Sequence, residues 1–122
     1  MIPVNGKPIL QYQIELFKKY KITDIHLSIK HLGHVIKDYF KDGSSFGVNI
    51  SYTEEKEFLG TGGALKLFED KISDEFILIY GDMVLNVNLP KMVYYHYQKN
   101  GLGTLLCVTD KQCQPLDCDH LS

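Results

Sequence analysis

Three short segments carry residue types that could handle a phosphorylated ligand. Pro3-Val4-Asn5-Gly6-Lys7-Pro8 sets a Gly-Lys pair just before a proline. Leu59-Gly60-Thr61-Gly62-Gly63-Ala64-Leu65 is glycine-rich, and Tyr80-Gly81-Asp82 ends on a carboxylate. Glycines let a backbone approach a flat ligand closely, and free N–H groups at a following helix start suit anionic or carbonyl oxygens. A carboxylate at the end of a buried strand can hold Mg²⁺ against a substrate phosphate, because hard cations prefer oxygen. Each segment also has a plainer reading: a loop-to-helix turn, a flexible connector, and a capping or loop Asp. Singly, the plainer readings stand. What favours a ligand site is that all three segments fall at one edge of the sheet expected below, where open α/β sheets bind ligands.

Other chemistry is poorly supported. No stretch fits the G-x-x-x-x-G-K-[ST] loop, and the dinucleotide pattern G-x-G-x-x-G fails because Leu65 stands at its last position. Cys113, Cys118 and His120 lack a zinc spacing, and Asp117-Cys118-Asp119 follows no clear strand end, so this tail reads as irregular and solvated. His26, His31, His34, His96 and His120 have no Ser or Cys partner at a recognisable spacing, so no nucleophilic triad is indicated. Tyr94, Tyr95 and Tyr97 read as packing on a helix rather than as base stackers.

The elements that must position these segments alternate. Pro8 suits a helix start, and Ile9, Leu10, Ile14, Phe17 and Tyr20 make one apolar face over residues 9–20, with Glu15, Lys18 and Lys19 opposite. Residues 25–29 read as a strand. Gly33 opens a second amphipathic helix with Val35, Ile36, Tyr39 and Phe40 on one side, and the turn at 42–47 ends it. Val48–Tyr52 reads as a strand, 57–63 as a loop whose glycines take conformations closed to branched residues, and 64–70 as a short helix. Phe76–Tyr80 is a continuous apolar run, expected as a strand covered on both faces. Pro90–Asn100 reads as a helix and Gly103–Val108 as a last strand. This alternation predicts an α/β layer. One feature is odd: no strand precedes the first helix.

Composition sets outer bounds. The chain has 122 residues, 44% apolar and 23% charged, which fits one globular domain. Thirteen Lys+Arg against 15 Asp+Glu give a net charge of −2, no footprint for nucleic acid or an anionic membrane. No apolar run approaches a bilayer span and no secretory signal opens the sequence. Three Cys, an odd number, fit reduced thiols in a cytoplasmic protein better than a disulfide scaffold.

On residues 3–10, 59–65 and 81–82, in this order and spacing, and along Gly33 to Tyr52, the sequence resembles the sugar-1-phosphate nucleotidyltransferases (NDP-sugar pyrophosphorylases). It looks most like the guanylyltransferases acting on mannose 1-phosphate or a manno-heptose 1-phosphate. The likeness reaches to about Val108 and implies a Rossmann-like three-layer α/β/α fold with a mostly parallel sheet. It implies attack by a sugar 1-phosphate oxygen on the α-phosphorus of a nucleoside triphosphate, with pyrophosphate leaving and Mg²⁺ and cationic groups neutralising charge. Nucleoside triphosphate and sugar 1-phosphate are then the partners, and GTP the expected nucleotide. By similarity, Lys7, Leu59, Gly60, Thr61, Gly62 and Gly63 bind nucleotide, with Gly60, Thr61 and Gly63 at the base and ribose, and Asp82 holds the metal.

The departures shape the expectation. The family's first strand, its G-x-G-[ST]-R loop and its catalytic Lys would precede Met1, so no catalytic residue is assigned here. The acceptor-sugar half and a second metal-binding Asp would follow Ser122, and Asn86 and Asn88 replace acidic residues often seen after the Gly81-Asp82 pair. Residues 1–122 are therefore expected to form a partial nucleotide-binding domain, inactive alone. The alternative is a non-catalytic remnant or binding module with the same fold.

Overall fold

The structure is a computed structural model that describes residues 3–57, 60–72 and 75–107. Its contacts divide after Asn86 into two compact units.

The first unit opens with a two-residue hairpin. β1 (Pro3–Val4) pairs antiparallel with β2 (Lys7–Pro8), Val4 opposite Lys7. Asn5 and Gly6 form the turn with φ of 50° and 75°, the two positive values a type I′ turn demands and Asn-Gly tolerates best. Pro8, at φ −60°, leads into α1 (Ile9–Lys19). Ile9, Ile14 and Phe17 are buried, as the apolar spacing predicts, and Lys18 and Lys19 sit in the last turn, where cations complement the helix dipole.

β3 (Asp24–Ile29), α2 (Gly33–Phe40) and β4 (Asn49–Glu54) follow as a βαβ unit. The two strands are parallel and in register from Asp24↔Asn49 to Ile29↔Glu54. Ile25, Ile29 and Ile50 are buried, while Asp24, His26 and Ser28 alternate with them along β3. Gly33 lets α2 approach the strand: a Cβ there would lie 2.9 Å from Ile29 Cδ1. Phe40 is among the most buried side chains, at 1% exposure, in a ring cluster with Tyr39 at 4.8 Å and Phe46 at 5.1 Å. Val35 and Tyr39 remain exposed, so the buried face of α2 is narrower than its apolar face.

Three expectations are corrected. The glycine-rich segment expected as a loop is helical from Gly60: α3 runs Gly60–Lys66. The helix starts early because Phe68, just past its end, is buried with its ring 4.2 Å from His26, and tertiary anchoring outweighs the poor propensity of glycine. Phe76–Tyr80, expected as a covered strand, joins no ladder among the described residues, and Phe76, Leu78 and Tyr80 are 53%, 55% and 60% exposed. An apolar run becomes a strand only where a neighbour exchanges backbone hydrogen bonds with it, and no described strand does so here. Residues 103–107 likewise form no strand; the end of that expected element, Val108, lies outside the described residues.

The second unit holds α4 (Leu89–Lys99). Asn88 caps it by accepting from the Lys91 N–H at 3.0 Å, Pro90 occupies its first turn, and Asn100 ends it at φ 52°. Leu89 is buried, but Tyr94, Tyr95 and Tyr97, expected as packing residues, are more than half exposed, Tyr97 with its ring edge-on to His96. Among the described residues no helix is long and apolar enough to cross a membrane.

Candidate functional site

The structure ties two of the three motif segments to α1. Lys7 leaves the hairpin one residue before Pro8 and turns its Nζ to Glu15 Oε2, 2.6 Å away and two turns into the helix. The same Nζ stands 4.5 Å from the centre of the Tyr12 ring, and the Tyr12 hydroxyl donates to the Val4 carbonyl at 3.0 Å. Gln11 Nε2 donates to Glu15 Oε1 at 3.0 Å, and Tyr39 Oη donates to Gln11 Oε1 at 2.8 Å. The hydrogen bond with Glu15 raises the Lys7 pKa and lowers that of Glu15, so both stay ionised at neutral pH. Lys7 thus presents a fixed positive charge at the foot of α1.

Gly81-Asp82 forms the centre of a tight turn in which the Met83 N–H donates to the Tyr80 carbonyl at 3.3 Å. Asp82 is exposed. The turn is gripped from α1 by Gln13, whose Nε2 donates to Tyr80 O at 2.8 Å and to Met83 O at 2.5 Å. Gln13 was not singled out among the candidate residues. The signal lay in its place: it interrupts the apolar stripe, four residues after Ile9 and four before Phe17. A polar residue there must find partners inside.

The glycine-rich segment lies on α3. Gly60, at φ +68°, opens α3, and Thr61, Gly62 and Gly63 lie within the helix; Leu59 lies outside the described residues. Of the three glycines only Gly60 takes a conformation closed to branched residues. Gly62 lines an open groove of about 490 Å³ with Leu65, Lys66, Glu69, Ile72 and Phe76. Beyond it, His26 is wedged between β4 hydroxyls and a ring: Nδ1 meets Ser51 Oγ, Nε2 meets Thr53 Oγ1 at 2.9 Å, and Phe68 lies edge-on. Burial, and secondarily the charge of Lys71, lowers the His26 pKa. No metal-binding cluster of three or more His, Cys, Asp or Glu occurs among the described residues. Cys113, Cys118, His120 and the Asp117-Cys118-Asp119 stretch fall outside them.

A βαβ unit, a lysine presented at a helix foot and a clamped Gly-Asp turn accord with a model of the nucleotidyl transferase family, which matches residues 1–116. The chain belongs to that family. Its α/β character is accordingly Rossmann-like. Over 92% of its length it is 31% identical to a UTP–glucose-1-phosphate uridylyltransferase of Synechocystis sp., covering 32% of that protein. Over 75% of its length it is 39% identical to a D-glycero-alpha-D-manno-heptose 1-phosphate guanylyltransferase of Campylobacter jejuni, covering 41% of it. A mannose-1-phosphate guanyltransferase of Saccharomyces cerevisiae is 29% identical over 87% of the chain and 30% of that enzyme. The resemblance to guanylyltransferases read from the motifs is thereby borne out. The chain spans about a third of the length of these relatives, two fifths for the heptose enzyme.

Proposed function

We propose that this chain supplies the nucleotide-binding part of a sugar-1-phosphate nucleotidyltransferase. In this reading a nucleoside monophosphate passes from GTP to a sugar 1-phosphate of the manno or manno-heptose type, and pyrophosphate leaves. The observation that carries it is the Gly81-Asp82 turn, presented to solvent and held from α1 in a chain of this family. Guanine is favoured by the mannose and heptose relatives, with uracil, from the uridylyltransferase, as its competitor.

Asp82 suits Mg²⁺ in the manner of phosphate-handling sites. Such sites hold the ion by one or two carboxylates together with substrate phosphates and water, so a single exposed carboxylate on a fixed turn is a fitting donor. When bound, the ion supplies charge neutralisation at the phosphates. Lys7 would add a fixed cation toward the nucleotide, in exchange for part of its pairing with Glu15. Leu59, Gly60, Thr61, Gly62 and Gly63 would take the base and ribose side, with the open groove at Gly62 leaving room for a planar group. The three-layer arrangement, with a mostly parallel sheet, and a cytoplasmic setting belong to the same reading.

For this chain alone the expected behaviour is binding without turnover. Titration calorimetry with GTP and UTP, with and without Mg²⁺, beside a pyrophosphate-release assay with mannose and heptose 1-phosphates, tests both parts. GTP should bind more tightly than UTP and depend on Mg²⁺, Asp82→Asn should abolish that dependence, and no pyrophosphate should appear. Metal dependence unchanged in Asp82→Asn would remove Asp82 from the site, and robust release would overturn the expectation of inactivity.

A further inference from the structure

Gln13 is 2% exposed, the one buried polar side chain among the described core residues. Its amide nitrogen carries two hydrogens, and the structure offers two carbonyls to receive them. These are Tyr80 O at 2.8 Å and Met83 O at 2.5 Å, the residues that flank Gly81-Asp82 on either side. The orientation of the amide is fixed by this pairing, since the opposite flip would set its oxygen against two carbonyl oxygens. We propose that Gln13 is a positioning residue, a two-pronged clamp from α1 that sets the Tyr80–Met83 turn and so aims the Asp82 carboxylate.

The chemistry selects glutamine. Glu has the reach but, ionised, no hydrogen to give. Asn has the same amide on a shorter stem, from a helix whose position is set by Ile9, Ile14 and Phe17. Leu or Met fills the space but gives neither carbonyl the hydrogen bond that Gln13 supplies. The clamp acts where the sheet does not, because residues 75–80 join no ladder among the described residues. It also grips both ends of the turn: Tyr80 O accepts from Gln13 and from the Met83 N–H, so the turn's own hydrogen bond and the clamp share an atom. A metal ligand on such a turn keeps its aim only while both carbonyls are held.

The functional half of this inference rests on the reading of Asp82 as a metal ligand, and the experiment separates the two. The full chain is compared as wild type, Gln13→Leu, Gln13→Met, Asp82→Asn and Ile14→Val, the last a neighbouring core change that touches no carbonyl. Hydrogen exchange is followed at the amides of residues 81–84, and Mn²⁺ affinity is measured in the presence of GTP. Gln13→Leu and Gln13→Met should speed exchange in the turn about tenfold or more, the scale of losing a buried hydrogen bond. They should weaken Mn²⁺ binding about five- to tenfold, while Ile14→Val changes neither. Turn exchange at the wild-type rate in both Gln13 variants overturns the clamp. Faster exchange with unchanged Mn²⁺ affinity, where Asp82→Asn loses the ion, overturns its aiming role. If Asp82→Asn still binds Mn²⁺ normally, the metal reading falls and exchange alone decides the clamp. Should both variants fail to fold, the wild-type Gln13 side-chain amide protons decide: protection from solvent exchange supports the clamp, and rapid exchange refutes it.

Discussion

Replacing Gly62 by alanine should strengthen the fold and weaken the site at once. Gly62 is the third residue of α3, its φ lies outside the left-handed region, and nothing stands within 4 Å of the position a Cβ would take. No strain or clash therefore opposes the change. In a helix interior Gly is about 1 kcal/mol worse than Ala, and near a helix end part of that is realised, so about 0.5–1 kcal/mol of added stability is expected. For a unit of this size 1 kcal/mol moves Tm by about 4–8 °C, giving a rise of roughly 2–8 °C. The new methyl also enters the groove shared with Leu65, Lys66 and Phe76. If a base lies there, it must shift to make room, and overpacking costs of about 1–3 kcal/mol put the loss of GTP affinity at about fivefold or more. Gly60→Ala is the internal contrast: open space surrounds it too, but its φ of +68° costs an L-residue about 1–2 kcal/mol, so Tm should fall. Thermal melts and GTP titrations of the two variants decide. A lower Tm for Gly62→Ala would refute the helical assignment, and a higher Tm with wild-type GTP affinity would remove Gly62 from the nucleotide site.

Three further outcomes are expected. The His26 pKa is lowered in the folded chain, so as pH falls below the ordinary value near 6.5 the unfolded chain takes up its proton first. Stability should therefore drop between about pH 7 and 5, and urea melts of His26→Gln should lose that slope; an unchanged slope refutes the assignment. Glu15→Gln removes the partner that holds Lys7 and raises its pKa, which should tighten GTP binding about two- to fivefold at low salt, the worth of an exposed ion pair. Equal affinities in calorimetry would place Lys7 away from the nucleotide. The exposed apolar stretch at Phe76, Leu78 and Tyr80 should drive self-association that sedimentation detects and Leu78→Lys relieves; a monomer at all concentrations would refute it.

Much of the fold could be read from residue spacing, and the failures have a common origin. α1, α2, α4 and the two paired strands stand within a few residues of their expected places, because each carries its own periodicity and stop signals. The hairpin of β1 and β2 was missed although Val4-Asn5-Gly6-Lys7 holds the strongest two-residue turn signal there is. Its strands are two residues each, too short to show alternation in the sequence. Gly60 to Gly63 misled in the other direction. Propensity argues for a loop, and the helix exists because Phe68 is pinned against His26, a contact between positions 42 residues apart that no local window contains. Within the candidate site, Lys7 and Asp82 were visible as residue types, whereas the side chains that hold them, Glu15 and Gln13, were not.

Phe76–Tyr80 shows why composition and structure part company. A run of Phe, Ile, Leu, Ile and Tyr states how much cover a segment can use, not whether a neighbour supplies it. Here the parallel pair is β3 and β4, and a two-stranded ladder is near the lower limit of what stands alone in water. The segment beyond them must be placed by something other than sheet bonds. One contact that does so comes from a helix more than 60 residues earlier, through the amide of Gln13, and it lands on the turn that carries the candidate metal ligand. In a more extended sheet the strand would carry the turn and the glutamine would only trim its aim. In this chain the relation is reversed: the turn's geometry depends on the clamp, and the aim of Asp82 should be more sensitive to position 13 than to any apolar substitution within the run itself.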